Sequence, residues 1–284
     1  MNPKICLVIT GLLFSLASCA PKVLVHSNSS YPPLKEYEGF VIFEEDEVMP
    51  ISPQVIGDIK IGDPGLTINC NYKTVLQIAV NEAKKIGANA LKITEHKLPN
   101  TLGSSCHRIK VLAFRVDDVS PYETEIVWHK DRPLKTVDFK GAIDKRPFLA
   151  VTSSGIVYEY AGRPIDGYVK VTTYARFNCL YSYFKDSINT AETLEHEQGH
   201  FDITEIFARK LIKTFKEEIR NTKELQAREQ TIYAQIAREW QLMQDEYDSD
   251  VYANPLEQPF WLHRIKVNLE ALSDYEHKEI RIPF

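Results

Sequence analysis

Beyond its first nineteen residues the chain lacks any apolar run that could cross a bilayer, for which about twenty consecutive apolar residues are needed. It also lacks a basic excess. Lys and Arg number 34 against 39 Asp and Glu, a net charge of -5, which argues against nucleic acid as a partner. Internal repeats and low-complexity tracts are absent, and 44% hydrophobic with 26% charged residues is ordinary for globular protein. Cysteine is scarce: of five, Cys6 and Cys19 fall in the leader, leaving Cys70, Cys106 and Cys179. Cys70 and Cys106 flank one compact unit and are expected to pair in a compartment that permits disulfides. Cys179, inside the apolar run 177–184, is expected to be a free buried thiol.

What is present begins with a leader. Lys4 supplies a positive start, Ile5 to Phe14 a short apolar core, and Leu16-Ala17-Ser18-Cys19 an ending that resembles a bacterial lipobox. By that resemblance Cys19 is the lipidated first residue of the mature chain, and Ala20 after it implies sorting to the outer membrane, facing the periplasm. The competing readings are an ordinary signal peptide and an uncleaved anchor, the latter too short to span comfortably.

The motif richest in chemistry is His196-Glu197-Gln198-Gly199-His200, an H-E-x-x-H sequence within a stretch of helical periodicity. On a helix, residues four apart lie only about 40° from each other, so both imidazoles can reach one Zn²⁺, with Glu197 on the flank as general base for a bound water. A helical histidine pair can also be plain solvated surface. Against that, Asn189 and Glu192 resemble a capping box, Glu192 and Glu195 complement the helix dipole, and Leu194, Phe201, Ile203, Phe207 and Leu211 give the helix an apolar side over about 190–220. Gly199 costs about 1 kcal/mol against alanine in mid-helix, which implies that something needs the space beside it.

The organisation reads as α+β in five stretches: leader 1–19, a Ser/Asn/Pro-rich tether 20–36, a small α/β-sandwich-like binding or sensing domain 37–118, a linker 119–132, and a catalytic domain 133–284. The small domain has a strand at 54–62, a helix at 72–86 and strands at 91–95 and 109–116. The larger one has a short antiparallel sheet at 150–161 and 168–183, then the metal helix and helices at about 223–248 and 258–272.

Gly57-Asp58-Ile59-Lys60, Gly87-Ala88-Asn89-Ala90 and the late Cys106 loosely resemble the small outer-membrane lipoprotein domain of the Rcs envelope-stress sensor. Asp138-Phe139-Lys140-Gly141, the 150–156 segment and the block from Leu194 to Glu205 resemble a bacterial family of domains described as secreted zinc-dependent proteases, over roughly 130–273. That resemblance implies a zincin-like fold, zinc as cofactor, His196 and His200 as ligands and Glu197 as catalytic base. It also exposes a departure: where the family pattern carries a histidine after a Tyr-Asp pair, this chain has Tyr247-Asp248 followed by Ala253. Hydrolytic zinc takes three protein ligands and an open position. Asp248 is the expected third ligand, with Asp250 and His263 as alternatives, while Asp202 and Glu205 fall on the far side of the helical wheel and suit structural pairing. The resulting expectation is a membrane-tethered zinc endopeptidase of the cell envelope acting on a protein or peptide. The alternatives are a non-catalytic envelope binding protein and a metal-binding protein without hydrolysis.

Overall fold

A computed structural model describes residues 21–49, 53–63, 70–100, 104–163, 166–185 and 190–284. The leader with Cys19, and the Asn189 cap, lie outside the described residues. The chain divides into two compact units, Met1–Lys35 with Val41–Asp117, and Glu36–Phe40 with Asp118–Phe284.

The first unit is a five-stranded sheet with a helix on one face. Its strands β1 (Lys22–Ser27), β2 (Val41–Phe43), β3 (Gln54–Gly62), β4 (Ala90–Lys97) and β5 (Arg108–Arg115) lie in the order β1-β3-β5-β4-β2, with β2 parallel to β4 and the other pairs antiparallel. Period-two alternation buries Ile59 and Ile61 of β3 and Ile109, Val111 and Ala113 of β5, leaving Asp58, Lys60 and Lys110 exposed. Helix α1 (Tyr72–Lys85) covers the apolar face through Val75, Ala79, Val80 and Ala83. Asn71 caps its start by accepting from the Thr74 amide. Gly87 ends it at φ 80°, where a Cβ would meet the Pro32 carbonyl oxygen at 2.5 Å. Cys70 and Cys106, 36 residues apart, form a disulfide with Cα atoms at 5.0 Å, which stabilises by about 4 kcal/mol in the chain-entropy view.

In the second unit β9 (Tyr168–Asn178) is the central strand. Along one edge it pairs with β8 (Ser154–Arg163); along the other it pairs with β11 (Glu279–Pro283) and then β6 (Glu125–Val127), all antiparallel. The short pair β7 (Ala150–Val151) and β10 (Tyr183–Phe184) stands apart. Three helices follow, α2 (Thr190–Glu218), α3 (Thr222–Ala253) and α4 (Gln258–Ala271). The core lies between sheet and α2, where Phe177, Val171 and Ala175 meet Phe201, Phe207, Leu211 and Phe215. Cys179 is a free thiol buried in this region, and burial pushes its pKa up to about 11.

The α+β class holds, as do the helix at 72–86 and all three later helices within a few residues at their ends. The tether does not: β1 lies within 20–36 and pairs with β3 over six residues, Lys22 opposite Gly62 to Ser27 opposite Gly57. The 119–132 linker is also corrected, because β6 pairs with β9 and Trp128 is buried in the core. Helix α3 runs five residues past 248, to Ala253, and is capped by Asn254 before Pro255, where a proline cannot extend the ladder. The expected strand 168–183 breaks at Asn178, whose side chain accepts from the Leu180 and Tyr181 amides in a local turn.

Candidate metal centre

Helix α2 presents His196 and His200 one turn apart, and α3 brings Asp248 against them. His196 Nε2 and His200 Nε2 are 3.1 Å apart, and Asp248 Oδ1 lies 3.1 Å from the first and 3.0 Å from the second. Three ligands around a tetrahedral ion at 2.0–2.1 Å form a triangle with edges of about 3.3 Å, so this one matches to within about 0.3 Å. Among the described residues these three are the group that could hold a metal ion. Both histidines are well shielded and the Asp248 side chain is 42% exposed, so the group opens to solvent on the carboxylate side.

The hydrogen bonds behind the triangle fix which nitrogen faces it. Gln244 Nε2 donates to the His200 carbonyl at 3.0 Å, so its Oε1 must be the atom 2.6 Å from His200 Nδ1. His200 Nδ1 therefore carries the proton, and its Nε2 lone pair points at Asp248 and His196. Thr204 completes the support. Its hydroxyl receives from Trp240 Nε1 and Gln244 Nε2, which fill its two lone pairs, and turns its one proton toward the His200 carbonyl at 3.0 Å and the Ser154 hydroxyl at 2.7 Å.

Tyr247 explains Gly199. The tyrosine is fully buried, stacks on His196 at 4.6 Å and meets His200 edge-on at 5.0 Å. A Cβ on residue 199 would lie 2.6 Å from the Tyr247 hydroxyl oxygen and 2.9 Å from its ring. The glycine is what lets α3 approach, and Asp248 follows Tyr247 in sequence.

Glu197 is 3% exposed, and its Oε2 has no hydrogen-bond partner among the described residues. Burial raises its pKa, against the pull of His200, Thr152 and His196. Burial likewise disfavours a charged His200, but the hydrogen bond and charge of Asp248 outweigh it and raise the pKa of that ring. Asp248, although partly desolvated, is held well below the usual carboxylate range by its bonds to His196 and His200. Glu197, His200 and Asp248 line a cleft of about 320 Å³ whose other walls include Thr152, Phe148 and Tyr252, the last two stacked at 6.2 Å. Thr152 Oγ1 donates to the Glu197 carbonyl at 3.1 Å and ties this wall to α2.

The remaining candidates lie elsewhere. Asp250 Oδ2 accepts from Trp261 Nε1 at 3.1 Å, and His263 is exposed on α4, outside the ligand group. Asp202 and Glu205 do pair on the far side of the helix. Asp202 Oδ1 accepts from Trp128 Nε1 at 2.6 Å and Gln198 Nε2 at 2.7 Å, and Glu205 Oε1 binds Arg209 and Lys278, each at 2.8 Å. Gln244, Thr204 and Tyr247 are the functional neighbours that sequence reasoning missed or left unassigned. The signals that pointed to any of them were the mid-helix glycine and the Tyr247-Asp248 pair, both of which bear on Tyr247.

No family model, no curated protein and no solved structure matches the chain. The case for function is therefore carried by the geometry.

Two substitutions test how the centre is held. Gly199→Ala gains about 1 kcal/mol of helix propensity but forces the Tyr247 ring aside, a strain of about 1–3 kcal/mol, so it should lower or barely change stability while weakening metal binding strongly. Calorimetric titration beside a thermal melt would show that split, and unchanged affinity would contradict it. Gln244→Ala removes the acceptor that orients His200 and should cost about 10–100-fold in metal affinity with the helices intact.

Proposed function

We propose that the chain is a zinc-dependent endopeptidase of the bacterial cell envelope, lipid-anchored through Cys19 and directed to the periplasmic face of the outer membrane. The observation that carries the reading is the convergence of His196 Nε2, His200 Nε2 and Asp248 Oδ1 to 3.0–3.1 Å beside the unpartnered Glu197 Oε2, at the wall of one cleft. Two nitrogens and one carboxylate oxygen with an open side are a hydrolytic zinc set. When bound there, zinc would polarise a scissile carbonyl and lower the pKa of a coordinated water to about 7.

The chain's own residues supply the rest. Glu197 Oε2, with no internal bond to break, accepts the proton of the attacking water and delivers it to the leaving amine nitrogen. Burial raises its pKa above the ordinary carboxylate value, which makes it a stronger base toward that water. Gln244 keeps the His200 proton on Nδ1, so that Nε2 stays a ligand. Phe148 and Tyr252, each more than half exposed, give the cleft an apolar rim for a substrate side chain. The N-terminal unit belongs to the same reading as a non-catalytic binding module.

Metal analysis and turnover on one preparation test the proposal. The protein should bind about one Zn²⁺, His200→Ala should lose most of it, and Glu197→Gln should keep the zinc while peptide cleavage falls by at least about a hundredfold. Stoichiometric zinc with no cleavage of any peptide would leave a metal-binding protein, and no zinc uptake would remove the centre altogether. Anchoring is tested separately: Cys19→Ser should abolish acyl labelling and leave an unprocessed precursor, and unchanged labelling would disprove the lipobox.

A further inference from the structure

The face of the first unit's sheet opposite α1 is charged unevenly. Register places Lys22 of β1 opposite Gly62 of β3, Ile61 of β3 opposite Ile109 of β5, and Arg108 of β5 opposite Lys97 of β4, so Lys22, Arg108 and Lys97 stand at the same end of the sheet. The next row carries Leu24, Lys60, Lys110 and Glu95 in register across the same four strands. Together they line a shallow cleft of about 320 Å³.

Five cations therefore meet few acids. Glu95 is shared by Lys97 and Lys110, so that cluster keeps a net positive charge, and Asp63 already accepts from Ser104 at 2.5 Å. Lys22, Lys60 and Arg108 have no acidic partner among the described residues, and Arg108 Nε is buried with no hydrogen-bond partner. Residues 1–20, 50–52, 64–69 and 101–103, which complete this unit, contain no Asp or Glu at all. The unit's acidic run, Glu44 to Glu47, follows β2 at the other edge of the sheet, where Lys92 binds the carbonyls of Glu44, Glu45 and Glu47.

We propose that this sheet end, formed by Lys22, Lys60, Lys97, Arg108 and Lys110 with the exposed Leu24 of the edge strand, docks on a layer of anionic phospholipid headgroups. Charge complementarity selects the partner: a row of cations across four strands, with one exposed apolar residue on the edge strand, matches a membrane surface dense in phosphate. The placement rests on the lipid-anchor reading, because β1 starts three residues after Cys19, and three extended residues reach at most about 10 Å. An acyl chain alone gives marginal attachment, and a basic surface beside it is the second signal that stable anchoring calls for.

The test is vesicle sedimentation with the unacylated chain from residue 20 onward, which keeps every described residue and is blind to Cys19 chemistry. At about 0.1 M salt it should bind phosphatidylcholine vesicles containing roughly one-third phosphatidylglycerol, fail to bind pure phosphatidylcholine, and dissociate as salt rises. Lys22→Glu with Lys60→Glu should weaken binding by at least about tenfold. Lys73→Glu with Lys84→Glu, the same charge change placed on α1, should weaken it by less than about twofold. Lys22 and Lys60 are exposed, so their double variant should keep the wild-type circular dichroism. Absence of binding to the anionic vesicles, equal binding to neutral ones, or equal loss in the two double variants would overturn the proposal. The Cys19→Ser labelling result bears on the anchor alone, so the two failures are distinguishable.

Discussion

Everything at the candidate centre depends on one close approach, the Tyr247 ring packed into the space that Gly199 leaves open on α2. Helices carrying ordinary side chains pack with axes 8–10 Å apart, and a missing Cβ lets a bulky ring reach nearer the partner's backbone. Here the ring lies flat on His196, edge-on to His200, with its hydroxyl 3.4 Å from the His196 carbonyl oxygen. A single contact thus packs against both imidazoles and sets the position of the next residue, Asp248. The helical cost of a glycine is about 1 kcal/mol, small beside what burying a whole aromatic side chain contributes.

The far side of α2 is held by polar groups with the same economy. Gln198 Oε1 accepts from the Leu134 amide at 2.7 Å while its Nε2 donates to Asp202, which also receives Trp128 Nε1. One turn on, Glu205 is fully buried between Arg209 and Lys278, and Arg209 lies over the Trp128 ring at 5.2 Å and donates to the Leu269 carbonyl. Breaking one member of such a set strands a buried charge, which is costlier than the set's net worth, so the network specifies where α2 sits more than it adds stability. With the sheet side fixed this way and the α3 side fixed by Tyr247, the metal helix has little freedom to rotate, and rotation is what would separate the ligands.

How far the sequence disclosed this follows from which contacts are local. His196, Glu197 and His200 share one helix, so spacing alone placed them together, and the helical wheel alone sent Asp202 and Glu205 to the opposite side. Asp248 lies 52 residues from His196, and no periodicity relates them. It became a candidate through the need for a third ligand and through the Tyr247-Asp248 pair. Gln244 and Thr204 were invisible for the same reason: a glutamine on α3 and a threonine on α2 become a support for His200 only once the helices are side by side. In the fold, long amphipathic segments were readable and short strands were not. β1 alternates Val23 and Val25 inward with Lys22 and Leu24 outward, but six residues beside a Ser/Asn/Pro-rich stretch resemble a tether until β3 supplies the partner. β6 and β11 are three and five residues long and owe their existence to the free edge of β9.

With both imidazoles neutral, Glu197 and Asp248 bring two negative charges into a site whose histidines and glutamate are almost fully buried. Uncompensated, such a pair is expensive, and the raised pKa of Glu197 and of His200 shows the chain's response, which is to favour keeping protons on one or both. A divalent cation supplies the same two positive charges at one point and leaves both carboxylates ionised. Protons and cation therefore compete for the same lone pairs, and the sign is fixed: lowering the pH protonates His200 and Glu197 and must weaken metal binding, while raising it frees the ligands. A monovalent ion would leave one charge unbalanced, and an anion has no place among these donors. The donor set and the buried charge are those of a group that could hold a metal ion.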